Sequence, residues 1–111
     1  MQLILGCTIP PSCNLEEGVT IVHFHGIVFA QSVYVGSGTI IYQNVTLGAK
    51  GRGGPKIGKN CIIGAGAVIL GEIIIGDNCN IGAIAVVLKD VPANSVAVGV
   101  PCKILNKKNM Q

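Results

Sequence analysis

Between Ile57 and Val87 an apolar β-branched residue recurs at every sixth position: Ile57, Ile63, Ile69, Ile75, Ile81 and Val87. Four residues beyond each stands a small or apolar side chain, namely Cys61, Ala67, Ile73, Cys79, Ala85 and Val91. A strand alternates with period 2 and an α-helix returns every 3.6 residues, so neither sustains a step of six. A fixed short period marks a repeat architecture, and a hexad reads as one short strand plus one corner of a parallel β-helix. Three hexads close one triangular coil, and successive coils stack about 4.8 Å apart by parallel strand pairing. Such a coil is stable only in a stack, because one hexad cannot bury its own apolar face. Gly58, Gly64, Gly76 and Gly82 each follow a ladder residue. They are expected to allow the tight corner that a Cβ would obstruct.

Composition agrees with an all-β prism. Half of the residues are apolar yet only 4% are aromatic, which suits a narrow column filled by Ile, Val and Ala. A single domain over residues 1–111 is expected, with a protruding loop at 48–56 and a C-terminal tail at 93–111. The net charge of +3 is modest, and apart from Lys89 its basic residues cluster at Lys50 to Lys59 and Lys103 to Lys108. Nucleic acid would call for a denser basic stripe with stacking aromatics. No apolar run is long enough and uninterrupted enough for a membrane helix. Met1 to Cys7 ends like a lipoprotein box but has no basic segment and too short an apolar one. A cytoplasmic protein is expected. Cys7, Cys13, Cys61 and Cys79 all fall four residues after a ladder position, so they read as core-filling thiols. Cys61 and Cys79 should stack on adjacent coils. Cys102 lies off the ladder and should be the most accessible.

The ladder is interrupted twice. The N-terminal steps are Leu3, Ile9, Leu15 and Ile21, and the next residue in phase is Phe29, so this coil carries two extra residues. Both histidines, His23 and His25, lie in that interruption. The ladder resumes through Val35, Ile41 and Leu47, and then a step of ten, through Gly48 to Lys56, leads from Leu47 to Ile57. This second interruption is Gly-rich and basic. Gly53 to Lys59 fits the start of a phosphate-binding loop. However, Asn60 stands where Ser or Thr should hold magnesium, and no helix pattern follows. Asn44-Val45-Thr46 matches a glycosylation sequon by chance.

Three stretches carry a resemblance: His23-x-x-Gly26-Ile27-Val28; Ile41 to Gly48 (IYQNVTLG); and Ile63 to Gly71 (IGAGAVILG), continuing to Val87-Leu88-Lys89-Asp90-Val91-Pro92 and Gly99-Val100-Pro101. In this order the chain resembles the hexapeptide-repeat acyltransferases. It is most like the catalytic domain of serine O-acetyltransferases and the related surface-polysaccharide acetyltransferases. The resemblance implies a left-handed coil and a homotrimer, with acetyl-CoA lying in a groove between subunits. It implies His23 as the general base that deprotonates an attacking alcohol. Imidazole suits that task because it titrates near working pH. By motif, Gly48, Ala49, Ala65 and Ala83 would line the cofactor groove. Lys89, Lys103 and Lys56 are candidates for the CoA phosphates, since Lys binds phosphate as a point charge. His25 and Arg52 are candidate substrate contacts.

Departures from the family pattern bear on the acceptor. Serine acetyltransferases carry an Asp directly before the catalytic His, where this chain has Val22. They carry an orienting Asp fifteen residues upstream, where it has Thr8. Their Gly-rich loop is longer and ends in Arg-His-Pro, whereas here Arg52 precedes Gly53-Gly54-Pro55. The expectation is therefore a sugar hydroxyl of a surface polysaccharide or its precursor as acceptor, with serine as the alternative. Glu16 or Glu17 could replace the absent orienter. A non-catalytic scaffold is the rival from another class. A zinc enzyme would need three histidines, and the chain has two.

Overall fold

The computed structural model describes residues 7–51 and 53–107, so Leu3 and Arg52 lie outside the described residues. The described strands build three parallel sheets wrapped around one apolar column. The first sheet stacks β1 (Asn14–Leu15), β4 (Tyr34–Val35), β7 (Lys56–Ile57) and β10 (Ile74–Ile75). The second stacks β2 (Thr20–Ile21), β5 (Ile40–Ile41), β8 (Ile62–Ile63), β11 (Asn80–Ile81) and β13 (Ser95–Val98), with β14 (Lys103–Asn106) at its edge. The third stacks β3 (Val28–Phe29), β6 (Thr46–Gly48), β9 (Val68–Leu70) and β12 (Val86–Val87). This is the expected left-handed parallel β-helix, about four coils long. No helix among the described residues is long and apolar enough to cross a membrane.

Register shows how each interruption is absorbed. In the uninterrupted coils β7 pairs with β10 and β8 with β11 at a spacing of 18 residues, as in Ile57↔Ile75 and Ile63↔Ile81. Across the histidine segment the spacing grows to 20, with Leu15↔Val35 and Ile21↔Ile41. Across the Gly-rich loop it grows to 22, with Val35↔Ile57 and Leu47↔Ile69. Extra residues therefore leave the prism as outward excursions, and the inward ladder stays in phase.

The ladder residues from Phe29 to Val87 are buried, together with Val33, Val45, Cys61, Ala67, Cys79 and Ala85. At the N-terminal end Leu15 is exposed and Ile21 half-buried, because an end coil is covered on one side only. Thr39 takes a core position and brings its own partners. Its hydroxyl donates to the Gly58 carbonyl (2.8 Å) and accepts from the Cys61 amide (3.1 Å). The buried thiols also reach backbone carbonyls of the next coil: Cys61 Sγ donates to Gly76 O (3.1 Å) and Cys79 Sγ to Pro92 O (3.0 Å). Cys61 and Cys79 occupy adjacent coils and both are free. Burial pushes the Cys61 thiol above its ordinary value. Cys102 is half-buried, as are Cys7 and Cys13.

A Cβ is obstructed at the glycines that follow ladder residues, as expected, and the obstacle is the next coil, not a left-handed turn of their own. A Cβ on Gly64 would stand 2.6 Å from the Ala83 amide of the next coil, and one on Gly76 would stand 2.7 Å from the Ala93 Cα. These positions are small because stacked backbones touch there. The left-handed residue falls two places later, at Ser32, Gly38, Asn44, Asn60, Gly66, Asn78 and Ile84. Gly and Asn suit such a corner, whereas the β-branched Ile84 (φ 62°) does not. The segment read as a tail also contributes structure. β13 continues the parallel stack on β11, and β14 folds back antiparallel on β13.

Candidate active site at one edge of the prism

The edge that joins the second sheet to the third carries both histidines. It is assembled by backbone bonds between stacked corners. Val22 N–H donates to Ile41 O, Tyr42 N–H to Ile63 O, and Gly64 N–H to Ile81 O. One corner further on, Asn44 N–H donates to His25 O, Gly66 N–H to Gln43 O, and Ile84 N–H to Ala65 O. The edge thus stacks His25, Gln43, Ala65 and Ala83 beside one another, with His23 two residues after Ile21 and Gln43 two residues after Ile41. From the first of these corners to the last, three coil steps span about 14 Å.

The His23 side chain is exposed, and its Nδ1 meets the Gln43 Oε1 at 3.2 Å. His25 is also exposed, and its carbonyl is tied to Asn44. Thr8, at the position of the family's orienting Asp, bridges Val28 through its backbone. Glu16 and Glu17 lie on a different edge, between the first and second sheets, where Glu16 N–H donates to Val35 O. They do not share the histidine corner. Gln43 is the neighbour that residue-by-residue reading left without a role. The signal for it was the extra pair of residues, because a 20-residue coil stacks position 23 on position 43.

The candidate cofactor residues divide between two edges that flank the third sheet. Ala65 and Ala83 share the histidine edge. Gly48, Ala49 and Lys89 lie on the next one, where Gly71 N–H donates to Gly48 O. Lys89 also borders a cleft of about 300 Å³ lined by Val86, Leu88, Pro101 and Cys102. Lys56 borders a separate hollow of about 230 Å³ at the base of the Gly-rich loop, with Ser32, Gly54 and Glu72. The histidine edge is markedly apolar. Val22, Phe24, Tyr42, Ile84, Val98 and Val100 are all exposed along it, Ile84 at 70%. Among the described residues no group of three or more His, Cys, Asp or Glu could hold a metal ion.

The bacterial transferase hexapeptide family (six repeats) matches residues 54–89. Over that stretch the chain is similar to that family's repeats. Over almost its full length it is similar to serine acetyltransferases. The Synechocystis sp. serine acetyltransferase is 46% identical over 109 residues, which is 95% of this chain and 44% of that protein. The crystal structure of Neisseria gonorrhoeae serine acetyltransferase in complex with serine superposes with a TM-score of 0.83 at 42% identity, covering 88% of this chain and 42% of that one. A serine acetyltransferase in complex with CoA superposes with a TM-score of 0.81 at 40% identity, covering 86% of this chain and 40% of that one. The chain spans about a third to a half of the length of these curated relatives.

These relatives overturn the expectation of a polysaccharide acceptor. That expectation rested on a few local departures, at Val22, at Thr8 and in the short loop. Proteins sharing 38–46% identity across nearly all of this chain are serine acetyltransferases. The departures are two side chains and one loop on a shared coil register.

Proposed function

We propose that this chain catalyses acetyl transfer from acetyl-CoA to the hydroxyl of serine. The observation that carries this reading is the similarity to serine acetyltransferases over nearly the whole chain. His23 takes the serine hydroxyl proton as the oxygen attacks the thioester carbonyl. A backbone N–H on the same edge stabilises the oxyanion that forms. Collapse of the tetrahedral intermediate makes the ester, breaks the C–S bond and expels the CoA thiolate, which receives the proton back from His23. His25 and Arg52 are the side chains proposed for serine.

The proposed assembly is a homotrimer, in a cytoplasmic setting. Its support is the exposed apolar row along the histidine edge, a surface suited to a protein contact. In a ring of three prisms each groove is walled by one edge from each of two copies. Ala65 and Ala83 of one copy then face Gly48, Ala49 and Lys89 of the next, and the extended arm of acetyl-CoA runs between them.

The test is thiol release from acetyl-CoA with L-serine, comparing wild type with His23→Ala. Loss of a general base is expected to lower kcat by about 10²–10⁴. Turnover that is independent of serine, or unchanged in His23→Ala, would refute the reading. Sedimentation as a stable monomer would refute the shared groove.

A further inference from the structure

We propose that Gln43 is the positioning residue for His23, fixing its tautomer and ring orientation through the Nδ1–Oε1 contact. This rests on the acetyl-transfer reading above and goes beyond it. The resemblance assigns that task to a carboxylate at position 8, where this chain has Thr8.

The chemistry of the pair decides which nitrogen is free. An amide oxygen only accepts a hydrogen bond, so the 3.2 Å contact requires the proton on His23 Nδ1. The lone pair is then on Nε2, which is exposed and able to take a proton from an alcohol. The backbone around Gln43 is held from both sides. Its carbonyl accepts from Gly66 N–H (3.0 Å) in the following coil, and the Asn44 amide donates to His25 O (2.8 Å) in the preceding one. Ile41 and Val45, two residues to either side, are fully buried. Gln43 therefore projects from a regular, anchored coil, whereas His23 projects from an interruption. The regular coil supplies the fixed reference for the base.

A neutral amide differs from a carboxylate in one respect. It orients the ring without adding the negative charge that would favour imidazolium. This chain's base is thus held by geometry alone. Gln43→Glu restores the charge at the same place, and Gln43→Met removes the acceptor while keeping a similar length.

The experiment measures kcat and KM against pH for wild type, Gln43→Met and Gln43→Glu. Long-range ¹H–¹⁵N spectra of the His23 ring are recorded on the same proteins, and thermal unfolding confirms that each is folded. Gln43→Met is expected to lower kcat about tenfold, consistent with the loss of one hydrogen bond, with KM for acetyl-CoA unchanged. Its ring spectrum should shift from the Nδ1–H tautomer to a mixture. Gln43→Glu, which keeps an acceptor at the same place, is expected to retain the Nδ1–H tautomer and to lower kcat less than Gln43→Met does. An unchanged His23 tautomer in Gln43→Met overturns the proposal whether or not the enzyme turns over. Absence of turnover in the wild type would instead strike at the acetyl-transfer reading, because the ring spectra report on the His23–Gln43 pair independently of activity.

Discussion

The uninterrupted coils after Ile57 and the two interruptions are made from the same stock of residues but obey different rules. In the coils every outward corner is dictated by its neighbours: backbone meets backbone at Gly64 and Gly76, and a left-handed φ falls at fixed places. Little freedom remains there for a reactive side chain. At residues 22–25 and in the Gly-rich loop the chain bulges from the stack, and Val22, His23, Phe24 and His25 are exposed. Both histidines and the basic loop are found in these excursions. The regular coil keeps the column standing, and the interruptions carry the chemistry at known heights along it. Substitutions should therefore fall into two groups, with stability lost in the coils and activity lost in the excursions.

The sharpest test of that division pairs two glycines. Gly76→Val drives a side chain into the Ala93 backbone and is expected to cost about 3 kcal/mol or more. Gly53→Ala, whose Cβ would meet only the Glu72 side chain at 3.4 Å, should change stability by less than about 0.5 kcal/mol. Urea denaturation measures both, and equal effects would erase the distinction between coil and loop. Next in size is Thr39→Val. It leaves the Gly58 carbonyl and the Cys61 amide without their hydroxyl partner, at a cost of about 1–3 kcal/mol by the same measurement. The smallest effect has the opposite sign. Ile84→Asn relieves a β-branched residue in the left-handed region and should stabilise the isolated chain by about 1 kcal/mol. If the exposed Ile84 packs against another subunit, the same change should weaken assembly at low protein concentration, which sedimentation would detect.

The sequence carried much of this. Six-residue periodicity alone located the inward ladder and both interruptions, because burial on a prism leaves a periodic imprint in Ile57 to Val87. Of the cysteines that fall in phase, Cys61 and Cys79 are core residues for the same reason, while Cys7 and Cys13 are half-buried. Three features left no such imprint. The left-handed corner is served by Ser, Asn, Gly and even Ile, so composition did not mark it. The hairpin of β13 and β14 interrupts the hexad step, with Ala97 pairing 16 residues after Ile81. The partner of His23 depends on how many residues one coil contains, which is a property of register. The choice of acceptor failed for a different reason. A single position such as Val22 carries less information about the acceptor than agreement spread over the whole coil.

The antiparallel strand at the C-terminal end has a consequence for how such a molecule can grow. A stack of identical coils resembles a one-dimensional crystal, whose last layer is always a template for another. β14 runs the wrong way to continue that lattice, and it covers the edge of the sheet that β13 would otherwise offer. A longer version of this protein would therefore be reached by inserting a whole coil ahead of Ser95, with the terminator left in place, and not by adding repeats beyond it.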